Sequence, residues 1–363
     1  MGEWTKVLLV QTSFLGDTVL TLPLVSEIKR RYPATNLSVL CSPRACDLLA
    51  GYPGIDRVMV DDKNGTDGGL AGLWRKAAEL RKEGFTMALC PHKSLRSALL
   101  LALARIPRRI GFRQSRGWFL FHTRVDRDFS RHDVERNLSI LQAFGIAPRD
   151  CRRSLDLPLD RHAASGADRL LRSLGVDPTK PLIGINPGSV WPTKRWAPES
   201  FARLIQLLRK QHDCEVVLFG GPEDIETVAH VRRGAPDAVS LAGKTSLRDL
   251  PAALSRCAVL VCNDTGPMHI AVALGIPVVA IFCSTTPSLG FYPYSSRAIV
   301  VEKKLACRPC GLHGGRRCPL GTEDCIRLIE PEVVARAVGR LLHPEAYPAA
   351  KAADPYTPQW VSV

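Results

Sequence analysis

The segment Asn263-Asp264-Thr265-Gly266-Pro267-Met268-His269 puts an acid, a hydroxyl, a glycine and an imidazole into one short turn. The apolar run 258–262 before it reads as a buried parallel strand, and residues 270–274 read as a helix closed by Gly275. A strand, a polar turn and a helix N-terminus make an anion site, because unpaired N–H groups and the helix dipole point at the turn. Such equipment suits a nucleotide diphosphate with something attached to it. The same Asp-Thr-Gly also suits a helix cap, with Asp264 or Thr265 taking up the orphan N–H groups. On this segment alone both readings stay open.

Other turns follow apolar runs in the same way. After residues 7–10 comes Thr12-Ser13-Phe14-Leu15-Gly16-Asp17. A dinucleotide-binding turn would carry G-x-G-x-x-G here, and only Gly16 is present, which argues against a nicotinamide or flavin enzyme. Asp17 reads as an N-cap or as a general base. A helix N-terminus lowers a carboxylate pKa, so a base there acts late, as in glycosyl transfer through an oxocarbenium-like state. After residues 182–186 comes Pro187-Gly188-Ser189, leading to Lys194-Arg195-Trp196; Ser189 and Lys194 could reach a phosphate, although no Walker motif is present. Gly220-Gly221-Pro222-Glu223-Asp224 supplies an acid for sugar hydroxyls, or a first-turn acid favoured by the dipole.

The chain carries a net charge of +14, and its placement is informative. Residues 84–125 contain no acid but hold Lys93, Arg96, Arg105, Arg108, Arg109, Arg113, Arg116 and Arg124. A solvated basic face is the plain reading; a stretch without one acid points instead to a polyanion or to a phosphorylated and carboxylated substrate.

These turns need elements to hold them. Strands are expected at 7–10, 37–41, 57–60 and 86–90, and helices at 18–31, 73–82, 95–104 and 133–144. A polar connection with a helix near 163–174 follows. Strands are then expected at 182–186, 215–219, 258–262 and 277–282, with helices at 198–210, 224–233, 247–255 and 331–342. The alternation, run through twice in 363 residues, predicts two doubly wound α/β domains facing each other across a cleft, 1–165 and 176–330. The Ala- and Pro-rich tail, 346–363, is expected to be loosely ordered. No window offers a clean transmembrane helix and no cleavage signal follows the apolar start, which predicts a cytoplasmic protein.

Taken together, Gly16-Asp17, Pro187-Gly188-Ser189 with Lys194-Arg195-Trp196, and the 263–269 turn resemble glycosyltransferase family 9, the heptosyltransferases of lipopolysaccharide core assembly. The resemblance runs from about residue 6 to 342. The Lys194-Arg195-Trp196 turn and the 93–112 stretch look closer to the second heptosyltransferase than to the first. The resemblance implies a GT-B fold with two Rossmann-like domains, an N-terminal one for the acceptor and a C-terminal one for the nucleotide sugar. The last helix, 331–345, would cross back to the N-terminal domain. It implies inverting, metal-independent transfer of L-glycero-D-manno-heptose from ADP-heptose to a Kdo-lipid A or heptosyl-Kdo-lipid A acceptor. Asp17 would be the base and Lys194 the cation for the leaving diphosphate. Ser189, Arg195, Glu223, Asp264, Thr265, Gly266, Met268 and His269 would hold the donor, with Asp224 the rival of Glu223. Lys93, Arg96, Arg113 and Arg116 would hold acceptor carboxylates and phosphates. Peripheral contact with the anionic inner membrane is expected, and nucleic acid is not.

Cys307, Cys310, Cys318 and Cys325 have spacing that allows a tetrahedral structural zinc, with free thiols the alternative; a catalytic metal is not expected. Two other readings compete. A sugar-nucleotide epimerase shares the fold class but needs no anionic acceptor wall. A basic zinc-containing nucleic-acid-binding protein is opposed by an aromatic content of 6% and by the lack of a stacking motif.

Overall fold

The computed structural model describes residues 4–159, 161–346 and 354–363. The chain divides into two compact units, Met1–Pro158 and Leu159–Val363. Unit 1 is built on a six-stranded sheet of β1 (Lys6–Gln11), β2 (Asn36–Cys41), β3 (Arg57–Val60), β4 (Met87–Cys90), β5 (Arg108–Phe112) and β6 (Thr123–Val125). Their order is β3-β2-β1-β4-β5-β6, and the pairs run parallel. Val7, Leu8, Leu9 and Val10 are all fully buried. That is why β1 reads as an unbroken apolar run: helices cover both faces of a parallel sheet.

Unit 2 repeats the plan with β7 (Leu182–Asn186), β8 (Glu215–Leu218), β9 (Val239–Ser240), β10 (Val259–Asn263), β11 (Val278–Phe282), β12 (Ala298–Glu302) and β13 (Gln359–Ser362). The order is β13-β12-β11-β10-β7-β8-β9, again parallel throughout. Val261 lies opposite Ile185 on one side and Val279 on the other. In both sheets the strand order reverses beside the first strand, between β1 and β4 and between β7 and β10. Ligands of doubly wound sheets bind outside the strand carboxyl ends at that switch point.

Several elements differ from the sequence expectation. The single helix expected at 18–31 is two, Leu15–Val19 and Leu22–Arg31, broken at Leu20-Thr21. β5 was read only as part of a basic stretch, because its two leading arginines hide the strand pattern. The helix Arg161–Ser173 lies in unit 2, against Leu250–Leu254, and Arg256 ties it down through Asp168 at 2.7 Å. The helix Pro331–Leu342 packs in unit 2 on Pro198–Gln211, spending Val333, Val334, Ala337 and Val338 in that unit's core. The tail does not end as loose chain: β13 pairs with β12 as an edge strand. The rest of that expectation, on 347–353, lies outside the described residues.

Trp196 locks the turn after β7 to this core. It is fully buried, its indole N–H donates to the Ile329 carbonyl at 3.1 Å, and its ring meets Phe201 edge-on at 4.9 Å. Trp196→Ala removes the largest wholly buried side chain and should cost about 3–5 kcal/mol. A urea unfolding free energy for unit 2 that falls by less than about 1 kcal/mol would contradict this role.

Candidate active site

In unit 2 the turns on either side of the switch point are joined by Asn263, the last residue of β10. Asn263 is fully buried. Its amide nitrogen donates to the Pro187 carbonyl at 2.8 Å, and its amide oxygen accepts from the Trp196 backbone N–H at 3.0 Å. The segment 187–196 is therefore pinned at both ends to the strand beside it. Lys194 sits on that segment, with its Nζ 2.6 Å from Asp264 Oδ2. The same carboxylate oxygen accepts from the Thr285 hydroxyl at 2.7 Å.

That engagement bears on the cap reading of the 263–269 turn. Asp264 is held by Lys194 and Thr285, and Thr265, the N-cap residue of helix Gly266–Ala273, makes no side-chain capping bond. Neither side chain does the work of a cap. His269 and Ser189 are nearly buried beside the turns, and Arg195 donates to the Ser189 carbonyl at 2.7 Å. Gly266 is the first residue of the helix. Met268 differs from the expectation: it is fully buried and its N–H donates to the Thr265 carbonyl, so it faces the core rather than a ligand. Of the rival acids, Asp224 accepts from the Gly221 N–H at 3.1 Å and lies against Gly188, where a Cβ would come within 2.3 Å of its carboxyl. Glu223 is the exposed one, on the rim of the turn.

In unit 1 the corresponding position holds Asp17. It is the third residue of the Leu15–Val19 helix, not its cap, and its carboxylate reaches back to accept from the Phe14 N–H at 3.2 Å. The sequence reading expected the helix start to lower its pKa. Burial and the nearby Asp133 carboxylate outweigh Ser13, the Phe14 N–H and Arg127, and push the Asp17 pKa up to about 6. Asp133 is itself buried in a network that the sequence reading missed. It pairs with Arg127, lies 3.5 Å from Arg136, and accepts from the Asn137 amide at 3.3 Å. Asn137 also donates to the Leu20 carbonyl at 3.1 Å, at the end of the helix that carries Asp17. The signal was faint, since an acid opening a helix reads first as a dipole effect. Thr285 was missed differently: the strand-end rule covers the turn after β11 but was applied only to its neighbours.

The basic stretch does not form a uniform wall. Arg96 is committed to the buried Asp61 at 2.9 Å and to the Asp67 carbonyl at 2.7 Å. Arg113 pairs with Asp126 at 3.1 Å, and Arg109 spends its guanidinium on the Leu120 and Ile106 carbonyls. Acids outside 84–125 in sequence return to it in space. Lys93 and Arg116 have no carboxylate partner among the described residues, and Lys93 Nζ lies 5.1 Å over the Phe129 ring. Burial and Arg127 push the Lys93 pKa down.

Cys310 and Cys325 each feel the charge of neighbouring thiols in the 307–325 segment. Burial pushes Cys325 up to about 11, and backbone N–H groups of residues 320–323 pull Cys318 down. Among the described residues, no group of three or more His, Cys, Asp or Glu is arranged to hold a metal ion.

The raised pKa of Asp17 makes a stability prediction. Folding favours its protonated form, so its stabilising contribution is complete below the ordinary 3.8 and lost as pH rises through about 6. Asp17→Asn should therefore gain thermal stability over the parent progressively from about pH 3 to about pH 7, and level off above that. A constant difference across that range would mean that Asp17 ionises as it does in the unfolded chain.

Comparison with known proteins agrees with this geometry. The chain is similar to lipooligosaccharide heptosyltransferase 2 of Haemophilus influenzae, 27% identical over 312 residues that span 82% of this chain and 88% of that protein. Among solved structures it is similar to the glycosyl transferase family 9 protein of Veillonella parvula, with a TM-score of 0.83, 27% identity, and 95% and 99% of the two chains covered. It is also similar to the E. coli ADP-heptose LPS heptosyltransferase II, with a TM-score of 0.77, 25% identity, and 94% and 100% covered. Residues 73–316, which take in Lys93, Lys194 and the 263–269 turn, match the profile of glycosyltransferase family 9 (heptosyltransferase). With two parallel Rossmann-like sheets and a lysine–aspartate pair at the switch point of the second, this chain is an enzyme of glycosyltransferase family 9.

Proposed function

We propose that this glycosyltransferase moves L-glycero-D-manno-heptose from ADP-heptose to a Kdo-lipid A or heptosyl-Kdo-lipid A acceptor, with inversion at the anomeric carbon. The observation that carries the reading is Lys194, held 2.6 Å from Asp264 beside a helix start that no side chain caps. The names of the similar proteins, two of them heptosyltransferases, supply the donor and acceptor class.

In this mechanism unit 2 holds the donor and unit 1 the acceptor. The donor diphosphate lies at the start of the Gly266–Ala273 helix, toward the Thr265 and Gly266 N–H groups. Lys194 donates to it, with Ser189 and Arg195 beside it and Glu223 toward the sugar or ribose hydroxyls. Asp17 takes the proton of the acceptor hydroxyl as that oxygen bonds to the anomeric carbon. The bond from that carbon to the β-phosphate oxygen breaks, and its electron pair leaves with ADP. A pKa near 6 leaves Asp17 largely ionised at neutral pH yet a stronger base than an ordinary aspartate. Lys93 and Arg116 meet the acceptor's carboxylates and phosphates. No cofactor is needed for these steps. No described helix is long and apolar enough to cross a membrane. The net charge of +14 supports peripheral contact with an anionic inner-membrane surface on its cytoplasmic side.

The test is incubation with ADP-heptose, with and without Kdo-lipid A or its heptosylated form. Release of ADP only when acceptor is present is the expected result. Conversion of the sugar nucleotide without an acceptor would favour an epimerase, and tight duplex binding without ADP release would remove the transferase reading. Asp17→Asn should lower turnover by about 10²–10⁴-fold while ADP-heptose affinity stays within a few-fold. Lys194→Ala should weaken both donor binding and rate; ADP affinity and turnover equal to the parent's would take Lys194 out of the site.

A further inference from the structure

Lys194 has a neighbour that the mechanism does not use. Thr193 is nearly buried, in the short turn Pro192–Lys194. Its Oγ1 accepts from the Gly315 N–H at 2.8 Å and lies 3.0 Å from both the Gly315 carbonyl and the Ser284 hydroxyl. Its own N–H donates to the Gly315 carbonyl at 3.2 Å. One residue of the cysteine-rich segment thus grips the turn from both sides of its peptide group.

The grip is anchored. Arg308, in the same segment, is buried; it pairs with Glu302 at 3.1 Å and donates to the Phe282 carbonyl at 2.8 Å and to that of Thr285. The Cys310 N–H donates to the Ser284 carbonyl at 2.9 Å. Ser284 therefore touches both the cysteine-rich segment and Thr193, while the next residue, Thr285, holds Asp264. Gly314 adopts φ +76°, and a Cβ there would stand 2.8 Å from Ser284 Oγ, 3.0 Å from Thr193 Oγ1 and 3.1 Å from Lys194 Cγ. The backbone of the segment passes so close to the base of Lys194 that a side chain is excluded.

We propose that the 307–317 segment is a positioning clamp for Lys194, acting through Gly315 on Thr193, and that Thr193 is a positioning residue for the transfer reaction. The idea rests on the role given to Lys194 above. A lysine side chain is long and flexible, and a cation displaced by about 1 Å from its phosphate can cost about 10²-fold in rate. Asp264 fixes the charged end of Lys194; Thr193 fixes the backbone from which it springs.

A double-mutant cycle in the full chain, with ADP-heptose and acceptor, tests this. Thr193→Val keeps the shape and removes the hydroxyl; it should lower kcat/KM for the donor by about 10- to 100-fold. Thr193→Ser, which keeps the hydroxyl, should restore it to within about two- to threefold. In the Lys194→Ala background, Thr193→Val should cost no more than about twofold, because the cation it positions is gone. An equal loss in both backgrounds, or a folded Thr193→Val variant with parental kcat/KM, would overturn the proposal. Ser284→Ala is a milder probe should Thr193→Val not fold; its smaller loss must likewise vanish without Lys194, and a loss that persists overturns the clamp. If Lys194→Ala alone leaves the rate unchanged, the failure belongs to the role of Lys194. If it lowers the rate and the Thr193 variants do not, the clamp alone fails.

Discussion

A carboxylate taken out of water must find a cation or keep its proton, and three acids of this chain, two in unit 1 and one in unit 2, meet that requirement in different ways. Asp264 is paired with Lys194 and receives the Thr285 hydroxyl. Asp133 is paired with Arg127 and supported by Arg136 and Asn137. Asp17 has weaker support, a backbone N–H and Ser13, and its pKa rises to about 6. Paired carboxylates hold their neighbours in place, while the poorly compensated one is left eager for a proton. Breaking a buried pair on one side costs several kcal/mol, about 3–5, so the two paired acids are structural anchors that the site cannot trade away.

Topology brings these groups to the places where they matter. In each unit the strand order turns at the first strand, and the turn after that strand diverges from the turn after its neighbour. β1 leads to Asp17 and β4 to Lys93; β7 leads to Ser189 and Lys194, and β10 to Asp264 and Thr265. The sheet supplies rigid, fully buried walls, and the turns supply polar atoms. Second-layer contacts then remove the remaining freedom. Asn263 staples the 187–196 turn to β10, Asn137 staples the end of the Asp17 helix, and the cysteine-rich segment closes on Thr193. Sites need such support because a first contact placed by a loose turn is placed poorly.

Much of this was legible in the sequence, for a physical reason. Parallel strands buried on both faces write themselves as apolar runs such as 7–10 and 258–262, and the strand-end rule then names the turns to inspect. Asp17, Lys194 and Asp264 stand out as candidates by that rule. What stayed hidden depends on three-dimensional partners. The 84–125 stretch contains no acid, yet Asp61 and Asp126 neutralise Arg96 and Arg113 from outside it, so linear charge overstated the basic surface. The direction of the Asp17 pKa shift was misjudged because the helix start was visible in sequence, while its burial and the Asp133 neighbour were not. β5 was hidden by its arginines and β13 by an Ala- and Pro-rich approach. Met268 looked like part of a binding turn because its neighbours are, but helical periodicity turns it into the core.

The proposed transfer chemistry rests most directly on Asp17 as a base kept short of partners. The decisive measurement is the pH dependence of kcat/KM for the acceptor, with ADP-heptose as donor, compared between the parent and a variant that removes the neighbouring charge but leaves the burial, Asp133→Asn. The parent should lose activity below an apparent pKa of about 6. In the variant that limb should move to lower pH, because the repulsion that helps to hold the proton on Asp17 is gone. A parent profile flat from about pH 5 to about pH 8, or a limb that stays in place in a folded Asp133→Asn variant, would contradict it.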